Sequence, residues 1–207
     1  MAIGISSEAN KVMTEEKTTG KKRIVVGLSG GSGSIYTLAL LRLCRNLDVE
    51  THLVASEMGL RVTEHECGID EEELRGMCDV WYDNDNLGAT IASGSYYTDG
   101  MVIAPCSMKT LAAVAAGYAD GLLTRAADVC IKEHRKLVLL VREMPYSSIH
   151  LENMLRLSNK GVIILPASPG FYNHPEDLSD IVAFVAGKIL DQLGIENNAY
   201  QRWGGDF

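Results

Sequence analysis

Between Arg23 and Tyr36 the chain passes from the apolar run Ile24-Val25-Val26-Gly27-Leu28 through Ser29-Gly30-Gly31-Ser32-Gly33-Ser34 into a second apolar run, and few folds accept that order of residues. The first run is short, β-branched and continuously apolar, which suits a strand buried on both faces of a parallel sheet. The glycines let the backbone turn tightly and approach a ligand. A helix starting near Ser34 then directs unpaired N–H groups at whatever lies there. An anion is the expected occupant, a phosphate above all, with the hydroxyls of Ser29, Ser32 and Ser34 as further donors. Neither common phosphate-loop pattern is present: the glycine spacing misses G-x-G-x-x-G, and no Gly-Lys-Ser/Thr follows. A tight turn that only packs is the competing reading.

Downstream the pattern repeats. Ile35 to Leu47 reads as a helix, Val49 to Ala55 as a strand closed by Ser56, and Glu57 to Glu66 as a helix. The acidic Asp70-Glu71-Glu72-Glu73 run suits a solvated helix start. Met101 to Ala104 is a third buried strand, after which Ser107 can cap a helix ending at Ala116 with Gly117 as its stop. Asp120 looks like the next N-cap. Leu137 to Val141 and Val162 to Leu165 are two more strands around a helix capped by Ser147 or Ser148. Pro175 takes the first position of a last helix whose Ile181, Val185, Ile189 and Leu193 recur every four residues before Gly194. Strands alternating with helices predict an α/β fold: a single Rossmann-like (flavodoxin-like) doubly wound parallel sheet in three α/β/α layers. Residues 1–20 read as a disordered extension, 21–194 as the domain and 195–207 as a tail carrying Tyr200 and Trp203.

Several function classes are disfavoured. A net charge of −8 argues against nucleic acid or an anionic membrane surface as main partner. Five scattered cysteines without a C-x-x-C pair indicate neither a disulfide framework nor a zinc site, and no metal-ligand spacing is present. No apolar run reaches the roughly 18 residues of a membrane span, and no signal peptide is visible, so the cytoplasm is the expected location.

In doubly wound sheets ligands bind beyond the carboxyl ends of the strands, which directs attention to Ser29–Ser34, Ser56, Pro105-Cys106-Ser107, Arg142-Glu143 and Pro166–Pro169. Glu143 directly follows a buried strand, where partial desolvation suits a carboxyl group to proton transfer; a strand-end ion pair with Arg142 is the plainer reading. Arg125, Asp128 and Lys132 share a helix face, either as a surface ion-pair ladder or as the cations that the Ser/Gly loop lacks. His65 and Cys67 flank Glu66, but nothing orients a Cys-His nucleophile pair there.

Several separate stretches, in order, carry a resemblance: Ser29-Gly-Gly-Ser-Gly33, Ala92-Ser-Gly-Ser95, Ala104-Pro-Cys-Ser-Met108, Arg125-Ala-Ala-Asp128, Ile131-Lys-Glu133, Arg142-Glu143, Ser148-Ile-His-Leu-Glu-Asn-Met-Leu155 and Pro169-Gly-Phe-Tyr172. From residue 22 to Trp203 the chain resembles the UbiX-like flavin prenyltransferase family. The resemblance implies metal-independent transfer of a prenyl group from dimethylallyl phosphate to N5 and C6 of reduced FMN. The product, prenylated FMN, would leave to serve a UbiD-type decarboxylase. It also implies a homo-oligomer built from trimers, a dodecamer, with sites between protomers.

Carried over by position, Glu143, Glu66 and Ser32 match catalytic groups. Glu66 would work with Ser32 in proton transfer near the flavin, and Glu143 would assist phosphate departure. Gly30, Gly31, Ser32, Gly33, Ser56, Ser107, Met108 and Arg125 match flavin contacts. Lys132, Arg142, Tyr172 and Lys188 match groups around the substrate phosphate, and Trp203 an aromatic brought to the site by the tail. Two departures stand out: the loop reads Gly-Gly-Ser-Gly where Gly-Ala-Ser-Gly is usual, and Lys188 stands where an arginine is common. A flavin-dependent cysteine decarboxylase of the related fold is the second enzyme class. Such enzymes typically carry Pro-Ala-Ser-Ala-Asn-Thr where this chain has Pro105-Cys-Ser-Met-Lys-Thr110. A non-catalytic flavin carrier is the third reading.

Overall fold

The computed structural model of the chain describes residues 20–205, so the extension expected over residues 1–20 lies, apart from Gly20, outside the described residues. Among the described residues six strands form one sheet: β1 (Arg23–Leu28), β2 (Glu50–Ala55), β3 (Val80–Asp83), β4 (Gly100–Cys106), β5 (Lys136–Val141) and β6 (Ile163–Pro166). All pairs are parallel, in the order β3-β2-β1-β4-β5-β6. Five of the six are the strands expected from sequence. β3 is an addition at the sheet edge. Without it the order reduces to 2-1-3-4-5, the flavodoxin-like arrangement; with it the order is that of a Rossmann sheet.

Alternate strand residues feed two cores. Ile24, Val26, Leu53, Val102 and Val138 face a layer holding α1 (Ser34–Asn46), α2 (Glu57–Cys67), α3 (Glu71–Arg75) and α7 (Leu178–Leu193). Val25, Val54, Met101, Ile103 and Leu139 face α4 (Met108–Ala116), α5 (Leu122–Lys132) and α6 (Ser148–Ser158). Burial on both faces is why β1, β4 and β5 read as unbroken apolar runs.

Two helix starts differ from expectation. α7 begins at Leu178, not at Pro175, because the Asp177 carboxylate accepts the N–H groups of Ser179 and Asp180 at 2.7 and 3.2 Å. α5 is preceded by Gly121 in place of Asp120. Its first N–H groups are met from the β3 edge: the Asn84 carbonyl accepts Leu122 N–H at 2.7 Å, and Asn84 Oδ1 accepts Leu123 N–H at 3.0 Å. Ser56, Asp70, Ser107 and Ser147 cap α2, α3, α4 and α6. No helix among the described residues is long and apolar enough to cross a membrane.

Candidate active site

The carboxyl ends of four neighbouring strands open onto one cavity of about 660 Å³. Gly30 follows β1, Ser56 follows β2, Asn84 follows β3, and Ser107 follows β4; all four line it. β1 and β4 are adjacent in the sheet but far apart in sequence, which makes this the crevice where doubly wound sheets hold ligands. α2 and α4 both start at its wall, and a helix start presents N–H groups with a partial positive charge. The Ser56 hydroxyl takes up Gly59 N–H at 3.1 Å and the Ser107 hydroxyl takes up Thr110 N–H at 3.3 Å. Lys109 and Thr110 also reach the cavity, as do Asp83 and Asp85. Reading of the sequence did not single out Asn84, Asp83, Asp85 or Lys109; three of them belong to the unread β3 edge.

The Ser/Gly loop is organised differently from the expectation. Ser29 is buried; its hydroxyl donates to the Pro105 carbonyl at 2.7 Å and accepts Ser107 N–H at 2.8 Å, tying the end of β1 to the end of β4. Ser34 is also buried, and its hydroxyl accepts from Thr63 at 2.9 Å. Neither is placed to meet a ligand, and of the three loop hydroxyls Ser32 alone is on an exposed residue. Gly31 packs beside Pro105. Gly33 sits at φ +108°, a left-handed conformation that favours glycine.

The N–H groups at the start of α1 are not open for a phosphate. Glu66 Oε2 accepts Gly33 N–H at 2.8 Å and Ser34 N–H at 3.1 Å, so a carboxylate from the end of α2 already supplies the anion. Partial burial of that carboxyl works against its ionisation. Hydrogen bonds from the Ser32 hydroxyl and from the Gly33 and Ser34 backbone, with the Arg142 charge nearby, outweigh it and hold the group below the usual carboxylate range. Arg142 comes from beyond β5 and donates from Nε to the Ser32 carbonyl at 3.1 Å. Ser32, Glu66 and Arg142 thus form one cluster. Glu143 turns to its own chain and accepts Met144 N–H at 3.0 Å. Cys106, at the end of β4, is fully buried and its thiol is pushed up to about 12, which removes it as a nucleophile.

The remaining expected residues fall into two other groups. On α5, Arg125 pairs with Asp128 at 2.7 Å and donates from Nε to the Ala92 carbonyl at 3.2 Å, and Lys132 pairs with Glu133. Their described contacts hold the 92–95 segment and not the Ser/Gly loop. Met108 packs against the α4–α6 core. Beyond β6, the edge strand opposite β3, Tyr172 meets Trp203 edge-on at 5.7 Å, while on α7 Lys188 lies 4.0 Å from Asp191. No cluster of three or more His, Cys, Asp or Glu able to hold a metal occurs among the described residues.

The Flavoprotein family model matches residues 12–190. The chain is 50% identical over 184 residues to a probable UbiX-like flavin prenyltransferase of Escherichia coli O157:H7, an alignment covering 88% of this chain and 93% of that protein. The chain belongs to the UbiX-like flavin prenyltransferase family. Among solved structures, AnUbiX (PadA1) in complex with FMN and dimethylallyl pyrophosphate superposes on this UbiX-like chain with a TM-score of 0.89 at 38% identity, covering 91% of this chain and 100% of that one. A dodecameric FMN-dependent UbiX-like decarboxylase from Escherichia coli O157:H7 gives 0.86 at 49% identity, covering 88% and 100%. The peptidyl-cysteine decarboxylase EpiD, at 17% identity and a TM-score of 0.60, shares the fold alone.

Proposed function

We propose that this UbiX-like chain transfers the prenyl group of dimethylallyl phosphate to reduced FMN and releases prenylated FMN to a UbiD-type decarboxylase, without a metal. The residues of the cavity fit FMN. The starts of α2 and α4, with the caps Ser56 and Ser107, suit a phosphate, while Asn84 and the carboxylates of Asp83 and Asp85 suit a polyol chain. The reduced flavin supplies the nucleophile. The observation that carries the reading is the cluster at the loop: Ser32 is an exposed hydroxyl whose partner is a carboxylate kept ionised by three hydrogen bonds. The hydrogen bond between the Ser32 hydroxyl and Glu66 links the loop to a carboxylate through which a proton near the flavin can be relayed, and Arg142 holds the loop in the position that this requires.

A phosphate leaves readily only when fixed cations and a proton donor meet its growing charge. Arg142, Lys132 and Lys188 take the first role, the Tyr172 hydroxyl adds a neutral hydrogen bond to the phosphate, and Glu143 takes the second. Arg125 and Lys132 are occupied beside the 92–95 segment, so in this reading they serve the loop of a neighbouring copy within a trimer-based dodecamer. Lysine at 188 offers a compact point charge where arginine would offer a planar fork. Lys188→Ala is expected to raise KM for the donor with FMN affinity unchanged, and Lys188→Arg to keep or improve use of the monophosphate, as steady-state kinetics with monophosphate and pyrophosphate would show.

The solved relative described as a decarboxylase motivates a second reading, decarboxylation by this chain itself. Incubation of the protein with reduced FMN and dimethylallyl phosphate under nitrogen, followed by mass analysis of the flavin, separates the two. A flavin heavier by one prenyl group supports the transferase. Unaltered flavin, together with carbon dioxide release from an aromatic or cysteine-terminated acid, supports the other.

A further inference from the structure

We propose that Asp191 is a positioning residue for the donor end of the site: by gripping the segment after α7 it sets Trp203 against Tyr172 and leaves the Lys188 ammonium to the substrate phosphate. The proposal rests on the roles given above to Tyr172 and Lys188.

Asp191 lies near the end of α7 with its side chain 16% exposed, and its carboxylate receives four hydrogen bonds from the segment that follows. Oδ2 accepts from Tyr200 Oη at 2.6 Å and Arg202 Nη1 at 3.1 Å, and Oδ1 accepts from Arg202 Nη2 at 2.7 Å and Asn197 Nδ2 at 3.0 Å. The guanidinium is thus held by both nitrogens, the geometry that fixes direction as well as distance. Arg202 directly precedes Trp203, so the anchor acts one residue from the indole.

One turn earlier, Gly187 lets the segment lie flush on α7. A Cβ there would come within 2.7 Å of Tyr200 Cδ1 and 3.0 Å of Ala199 Cβ. The rings then follow in a row: Tyr200 on Phe184 at 4.7 Å, Phe184 on Tyr172 at 5.9 Å, and Tyr172 on Trp203 at 5.7 Å. Lys188 Nζ stands 4.0 Å from Asp191 Oδ2 and 5.8 Å from the Tyr200 ring, near the carboxylate but beyond hydrogen-bond distance. With its oxygens engaged by Tyr200, Arg202 and Asn197, Asp191 steadies the ammonium without capturing it.

Two variants test this. Asp191→Asn keeps the size and removes the charge; Gly187→Ala leaves Asp191 intact, favours the helix, and pushes Tyr200 away. Backbone amide exchange over residues 197–203 is measured in each, with KM for dimethylallyl phosphate and Kd for FMN. The expected result in both is faster exchange, a donor KM raised about tenfold or more, and an FMN Kd within about twofold of wild type. Unchanged exchange in both variants overturns the proposal, as does faster exchange with an unchanged donor KM, or a parallel loss of FMN affinity. If the wild-type protein forms no prenylated flavin, the prenyltransferase reading fails, and exchange alone then judges the anchor.

Discussion

At the start of α1 Glu66 does what the sequence assigns to a ligand. Its oxygen meets Gly33 and Ser34 N–H, and the exposed Ser32 hydroxyl completes the arrangement. Sequence spacing could not show this, because the pair is formed across 33 residues and the carboxylate enters from a different helix. Position within the family pointed to Glu66 and Ser32 together; the residues alone pointed to a phosphate. Since the folded carboxyl lies below its unfolded value near 4.3, its contribution to stability is present above that pH and is lost as pH falls through the folded value. Glu66→Gln is therefore expected to cost about 0.5 kcal/mol at pH 7. The difference from wild type should shrink toward pH 3, as urea unfolding at a series of pH values would show.

The elements that sequence rendered well are those whose stability is local or whose burial is complete. β1, β4 and β5 are long apolar runs, and the caps Ser107 and Ser147 precede their helices directly. β3 was missed because it is four residues at the sheet edge, none fully buried, and with it went Asn84, which caps α5 from 38 residues away. Ser29 is the element-scale counterpart of Glu66, a loop serine that joins two strands. Ser29→Ala strands the buried Pro105 carbonyl and Ser107 N–H together, so a loss of about 1–3 kcal/mol is expected in denaturant melts. A stability unchanged within error would show that the junction of β1 and β4 is held by packing alone.

For the molecule as a whole, the doubly wound sheet was legible and the assembled site was not, because its candidate residues occupy separate clusters within one copy. α6 turns Ile149, Leu151 and Leu155 outward, and Met144 before it is 86% exposed, an apolar surface of the kind that marks an interface. In the proposed dodecamer this face is expected to meet another copy. Leu151→Glu with Leu155→Glu is expected to yield smaller particles on sedimentation and to lose flavin conversion together; full-size particles would place the contact elsewhere. The central claim is the chemistry at Ser32, Glu66 and Glu143, and single-turnover conversion of reduced FMN by dimethylallyl phosphate, in the presence of a metal chelator, tests it most directly. The account predicts prenylated flavin from wild type at a rate the chelator does not change, and a rate lower by on the order of 10²-fold in Glu143→Gln with FMN still bound. Flavin returned unaltered by wild-type protein that holds FMN would contradict it.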